Sequence, residues 1–252
     1  MRVIESILND NIFFTKEQNK YCFIKDNNDR PEWSVILDNY IVDEEIDLNM
    51  KKRYINQRQK TYSNGFQYFF EHITESNGVI VDLASGPSGY FSPVFDFLKD
   101  DSIFIATDAC KSIINAHVEA NNDNRFYVFD IDLDKSLPFK DNSVDAFCGN
   151  LLNNINNYRE LLSEVYRCLK PGGKLAVIEL FFEKDSLTYE YLVNENAVYS
   201  SVEQYTDYCK SIGFNIVGSQ IKEEIIGKID PNDLLPIGEN DKCLETIVLL
   251  EK

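Results

Sequence analysis

From Val79 onward, short apolar runs alternate with amphipathic stretches, and no other feature constrains the fold of this 252-residue chain as much. Val79-Ile80-Val81-Asp82-Leu83 reads as a strand, 90–99 as a helix, 102–107 as a strand and 109–120 as a helix. Strands at 126–129 and 144–148, a helix at 158–169 and a strand at 174–181 continue the series. Parallel strands need a crossover to bring the chain back, so the expected fold is α/β, a mostly parallel sheet with helices on both faces. Asn157 and Glu160 stand in capping-box spacing before Leu161, Leu162, Val165 and Leu169, with Pro171-Gly172-Gly173 as the stop. Ser201 and Gln204 open another helix that Gly213 closes. The strands at 214–221 and 246–250 have no helix between them and are expected to pair antiparallel at one edge.

The first fifty residues follow no such period. They are rich in Asn and Asp, with a hairpin expected around Asp26-Asn27-Asn28-Asp29. Residues 51–74 read as helical, with Phe66, Phe69, Phe70 and Ile73 as a core stripe. The expected organisation is an N-terminal extension over 1–50, a helical cap over 51–78 and the α/β domain over 79–252.

Composition narrows the partners. With 42 acidic against 25 basic side chains the net charge is −17, which repels nucleic acid and anionic lipid at long range. The N-terminus meets acidic and amide residues before any apolar stretch of signal-peptide length, and no run approaches a membrane span, so the chain reads as soluble and cytoplasmic. Six scattered cysteines without a C-x-x-C pair, and only His72 and His117 as imidazoles, support neither a metal site nor a disulfide framework. Buried, reduced thiols are expected. Both histidines read as packing or surface residues.

The segment with most chemical content is Val81-Asp82-Leu83-Ala84-Ser85-Gly86-Pro87-Ser88-Gly89-Tyr90, a strand ending in an acid and a small-residue turn. Ala84-x-Gly86-x-x-Gly89, with Asp108 some twenty residues on, also fits a dinucleotide fingerprint. The charges argue against that. Asp82, Asp108, Asp130 and Asp132 all fall at strand carboxyl ends, where they oppose a pyrophosphate and suit a ligand with positive charge and ribose hydroxyls.

S-adenosylmethionine is such a ligand, and from Val79 to Lys252 the chain resembles the class I S-adenosylmethionine-dependent methyltransferases. The likeness is carried by four ordered segments: 81–87, Asp108, Asp132-Leu133 ahead of 137–145, and 169–175. It implies a Rossmann-like seven-stranded sheet with an antiparallel edge strand. It also implies that Ala84, Ser85 and Gly86 lie against the methionyl part, with Asp82 serving the ammonium. Asp108, beside Ala109, would take both ribose hydroxyls, Asp132 the adenine amino group, the Leu133 amide a ring nitrogen, and Asn150 would line the methyl-transfer mouth. The family usually has Gly where this chain has Ala84 and Ser88, so a wider or shifted turn is expected, and Asp130 competes with Asp132 for the adenine role.

Methyl transfer from an activated sulfonium asks mainly for alignment, and no residue in the sequence stands out as a general base. Tyr54, Arg58 and Tyr62 on the helix before the sheet either close over the substrate or simply pack. The expected function is methyl transfer to a small-molecule acceptor. The rivals are an NAD(P)-dependent oxidoreductase and a non-catalytic cofactor-binding protein of the same fold.

Overall fold

The computed structural model describes residues 3–64, 67–75, 77–229 and 235–252. Its centre is β3 (Val79–Leu83), buried at every position, as expected of a parallel strand covered on both faces. On one side lie β4 (Ile103–Asp108) and β5 (Phe126–Asp130). On the other lie β6 (Val144–Asn150), β7 (Leu169–Phe182), and then β9 (Lys242–Glu251) and β8 (Asn215–Ile226). β3 to β7 are all parallel, whereas β9 runs antiparallel to both β7 and β8, which is the expected edge pair.

Alternation along β3 feeds two cores. Val79, Val81 and Leu83 join α7 (Tyr158–Cys168) and α9 (Val202–Ile212) on one face. Ile80 joins α4 (Gln67–Thr74), α5 (Val94–Phe97) and α6 (Lys111–Ala120) on the other. Phe69, Phe70 and Ile73 form the expected stripe, while Phe66 lies outside the described residues.

Among the described residues the sheet has nine strands, not the expected seven. The two added ones, β1 (Thr15–Glu17) and β2 (Lys20–Cys22), form an antiparallel hairpin whose β2 pairs parallel with the outer edge of β5. A bare β5 edge would leave its amides and carbonyls unpaired. Tyr21 is fully buried there against Phe14 and Phe129. The short helix α1 (Val3–Ile7) adds Ile4 and Ile7 to the main core. The N-terminal extension expected over 1–50 is therefore partly built into the sheet and its core. Residues 27–29, expected near a hairpin, form a single 3-10 turn capped by the Asp26 carboxylate.

Other local expectations shift. Gly89 and Pro93 shorten the helix expected over 90–99 to the single turn of α5. Asn157 makes no side-chain cap on α7; its side chain donates to the Asp134 carbonyl instead. Pro171-Gly172-Gly173 forms an irregularity inside β7, between the Leu169–Val144 and Lys174–Ala146 pairs. Ser201 does cap α9, and Gly213 ends it at φ 114°. The remaining helices are α2 (Glu32–Asp43), α3 (Met50–Asn64) and α8 (Leu187–Asn194). No helix among the described residues is long and apolar enough to cross a membrane.

Candidate cofactor site

The carboxyl ends of β3, β4 and β6 lie side by side, with Asp82 level with Ala106 and with Cys148. Just beyond β3, Ala84 takes φ +49°, the left-handed region that the family's glycine would occupy without strain. Ala84 thus holds a backbone conformation that glycine adopts at no steric cost. Thr107 secures it, its hydroxyl accepting from the Ala84 amide at 3.2 Å and its carbonyl from the Ser85 amide at 2.8 Å. Ala84→Gly should stabilise the fold by a few tenths to about 1 kcal/mol, the relief of left-handed strain less the added chain entropy, read as a higher urea midpoint.

Asp108 binds this turn directly. Its Oδ2 accepts from the Gly86 amide at 3.0 Å, and its Oδ1 from the Ala109 and Cys110 amides, both at 2.8 Å. Of roughly four acceptor positions on a carboxylate, three are filled by backbone. Acceptance of both ribose hydroxyls thus requires the Gly86 contact to yield. Asp82 is buried beside Cys148, whose Sγ lies 3.8 Å from its Oδ1. Burial pushes the Asp82 carboxyl up to about 7 and that of Asp108 up to about 6, the latter against the pull of its three amides.

Asp132 accepts from the Asp134 amide and pairs with Lys135, and Leu133 is buried in the core. Asn150 ends β6 on the same face as Asp82, and its Oδ1 is buried without a partner among the described residues. Of the two acids Asp130 and Asp132, Asp130 is already engaged: Arg30 grips both of its oxygens at 2.8 and 2.6 Å and also donates to the Ala109 carbonyl.

Further residues hold this turn from across the fold. His117, on α6, lies within hydrogen-bonding distance of the Gly86 carbonyl (3.0 Å, through Nε2) and of the Tyr54 hydroxyl (2.6 Å, through Nδ1). A carbonyl can only accept, so Nε2 carries the proton and the Tyr54 hydroxyl donates to Nδ1. Burial lowers the imidazole to about 4, so the ring is neutral. Tyr54 also fills the space where a Cβ on Gly89 would lie, 2.6 Å from its ring, and Arg53 donates to the Pro87 carbonyl at 2.9 Å. Helix α3 is thus buckled onto the turn. Of the three lid candidates Tyr54 does this, and the Tyr62 side chain lies outside the described residues. Asp38 of α2 caps α6 by accepting from the Ser112 amide at 2.8 Å. Nothing in the spacing of these residues marks them, because each acts across the fold.

Comparison with known proteins falls on this same segment. The family described as "Methyltransferase domain" matches residues 81–177, from the strand bearing Asp82 into β7. Residues 81–177 are thus similar to a methyltransferase domain. Among curated relatives, the chain is 39% identical over 84 residues to an uncharacterized protein of Methanocaldococcus jannaschii, covering 33% of this chain and 36% of that one. It is 30% identical over 105 residues to a ubiquinone/menaquinone biosynthesis C-methyltransferase of Ruegeria sp., covering 31% and 42%. The chain therefore spans well under half the length of these relatives. Among solved structures, the methyltransferase fold recurs in a Haloferax volcanii complex of the Trm112 methyltransferase activator with a putative methyltransferase, at TM-score 0.55 and 15% identity, covering 87% of this chain and 97% of that one. It recurs again in geranyl diphosphate C-methyltransferase from Streptomyces coelicolor, at TM-score 0.55 and 14% identity, covering 80% and 83%.

Proposed function

We propose that the protein is an S-adenosylmethionine-dependent methyltransferase acting on a small-molecule acceptor. The observation that carries this reading is the pair of buried carboxylates, Asp82 and Asp108, at adjacent strand ends around one left-handed turn. Two buried acids beside a ligand disfavour a pyrophosphate and favour a cation with hydroxyls. The donor set fits the cofactor: Asp82 for the ammonium, the turn 84–86 for the methionyl part, Asp108 and Ala109 for the ribose, Asp132 and Leu133 for the adenine. Asn150 would face the transferring methyl. When bound, the cofactor supplies a methyl group already activated on sulfur. The residues here then have to hold, orient and exclude water, a task worth about 7 to 11 kcal/mol in well-aligned reactions. The small-molecule acceptor is supported by the net charge of −17 and by the quinone and geranyl diphosphate methyltransferases among the similar proteins.

The test is thermal stabilisation by S-adenosylhomocysteine against NAD, followed by transfer of labelled methyl to a metabolite mixture. Stabilisation by NAD alone would overturn the reading, and cofactor binding without transfer to any acceptor would reduce it to a binding protein. A pH series adds a signature. Both carboxyls lie above their ordinary 3.8, so their neutral forms stabilise the ligand-free fold fully below about pH 4, and that contribution fades as pH rises through 6 to 7. An ammonium ligand favours ionised Asp82. Calorimetry should therefore show S-adenosylhomocysteine affinity rising from pH 6 to 8, with the rise flattened in Asp82→Asn.

A further inference from the structure

Asn150 is followed by a turn that the chain holds under strain. Leu151 has φ +55°, a left-handed conformation unfavourable for any residue with a Cβ. Such strain persists only where neighbours over-determine it. Two contacts from β7 do so: the Leu151 amide donates to the Ile178 carbonyl at 2.8 Å, and the Leu152 amide donates to Glu179 Oε1 at 2.9 Å. Leu152 then folds back over Gly149, where a Cβ would lie 2.7 Å from its Cδ1.

Glu179 is an unusual residue for its position. It is 0% exposed, and its neighbours on the same face of β7, Val177 and Phe181, are apolar core. Tyr158 donates to the same Oε1 at 2.6 Å, while Oε2 has no partner among the described residues. Burying a carboxyl with one oxygen unsatisfied costs stability that an apolar side chain would not. The strand does not need it for packing. Its contact with the Leu152 amide is the side-chain tie from β7 to the turn, beside the backbone bond from Leu151 to Ile178. Asn150 stands at the other end of that tie, two residues beyond Cys148 and hence on the face where Cys148 meets Asp82.

We propose that Glu179 is a positioning residue for methyl transfer, clamping the left-handed turn at Leu151 so that Asn150 is held at the methyl-transfer mouth. This rests on the methyltransferase reading above. Glu179 itself touches neither cofactor nor acceptor.

The test uses the full chain with Glu179→Leu, Glu179→Gln and the double variant Leu151→Gly/Glu179→Leu. The readouts are amide hydrogen exchange at Leu152, S-adenosylhomocysteine affinity by calorimetry, and turnover with the acceptor found in the labelled-methyl screen. Glu179→Leu should speed exchange at Leu152 at least tenfold and lower kcat at least tenfold, with cofactor affinity within about twofold of wild type. Glu179→Gln keeps an acceptor oxygen and should restore most of both. Leu151→Gly removes the need for a clamp and should recover part of the lost kcat in the Glu179→Leu background. Unchanged Leu152 exchange or unchanged kcat in Glu179→Leu overturns the proposal, as does a double variant no better than the single. If Glu179→Leu does not fold, Glu179→Gln against Tyr158→Phe carries the same exchange test, and unchanged Leu152 exchange in Tyr158→Phe then overturns it. Wild-type protein that neither binds S-adenosylhomocysteine nor transfers methyl defeats the methyltransferase reading instead, and the exchange arm still reports on the clamp.

Discussion

Asp108→Ala is expected to lower S-adenosylhomocysteine affinity by about 10- to 100-fold, since hydrogen bonds to a charged acceptor contribute about 1.5 to 3 kcal/mol. It should also destabilise the ligand-free protein. The carboxylate holds the Gly86, Ala109 and Cys110 amides, and a buried donor left unpaired costs about 1 to 3 kcal/mol. A loss near 3 kcal/mol in urea denaturation is expected even if water reaches part of the gap. Asp108→Asn should fall between, because it keeps a carbonyl oxygen for Ala109 and Cys110 but turns a donor toward the Gly86 amide. Unchanged affinity in calorimetry with a folded Asp108→Ala variant would remove Asp108 from the cofactor site.

The second large effect lies at Arg30. Its guanidinium and the Asp130 carboxylate form a two-pronged pair with side chains only 7% and 2% exposed. Taking away one partner of a buried pair leaves an uncompensated charge and commonly costs about 3 to 5 kcal/mol, whereas replacing both by apolar residues is often neutral. Arg30→Met should therefore shift the urea midpoint strongly downward, and Arg30→Met/Asp130→Leu should recover most of the loss. Because Arg30 also holds the Ala109 carbonyl, next to Asp108, both variants should bind S-adenosylhomocysteine more weakly than wild type. A double variant as unstable as the single would show that the pair is not the main tie between the N-terminal segment and the sheet.

The parallel strands β3 to β7 were legible because burial on both faces leaves unbroken apolar runs such as Val79-Ile80-Val81, separated by helical periods, and β8 and β9 were legible as an edge pair with no helix between them. The N-terminal hairpin was not. Its strands are three residues long, and β1 is exposed at every position, so no alternation marks it. Tyr21 reveals the pairing only once Phe129 and Phe14 are beside it. In the site, Asp82 and Asp108 could be named from strand ends and turn residues. That Asp130 is engaged by a guanidinium could not be read, because Arg30 lies 100 residues away along the chain. Ala84 suggested an altered turn, yet the Thr107 contacts hold it in the left-handed region. His117 showed only a helical spacing that fits packing equally well.

What the chain determined unaided is local and periodic: which stretches become strands, where small residues open a turn, which acids stand at strand tips. Each follows from forces acting within a few residues. Tertiary structure alone decided which of those acids is neutralised by a distant guanidinium, which carboxylate is already engaged by backbone amides, and which buried acid clamps the turn beyond Asn150. Those outcomes depend on burial and on partners brought together from far along the chain, and a carboxylate's chemistry is set by what surrounds it.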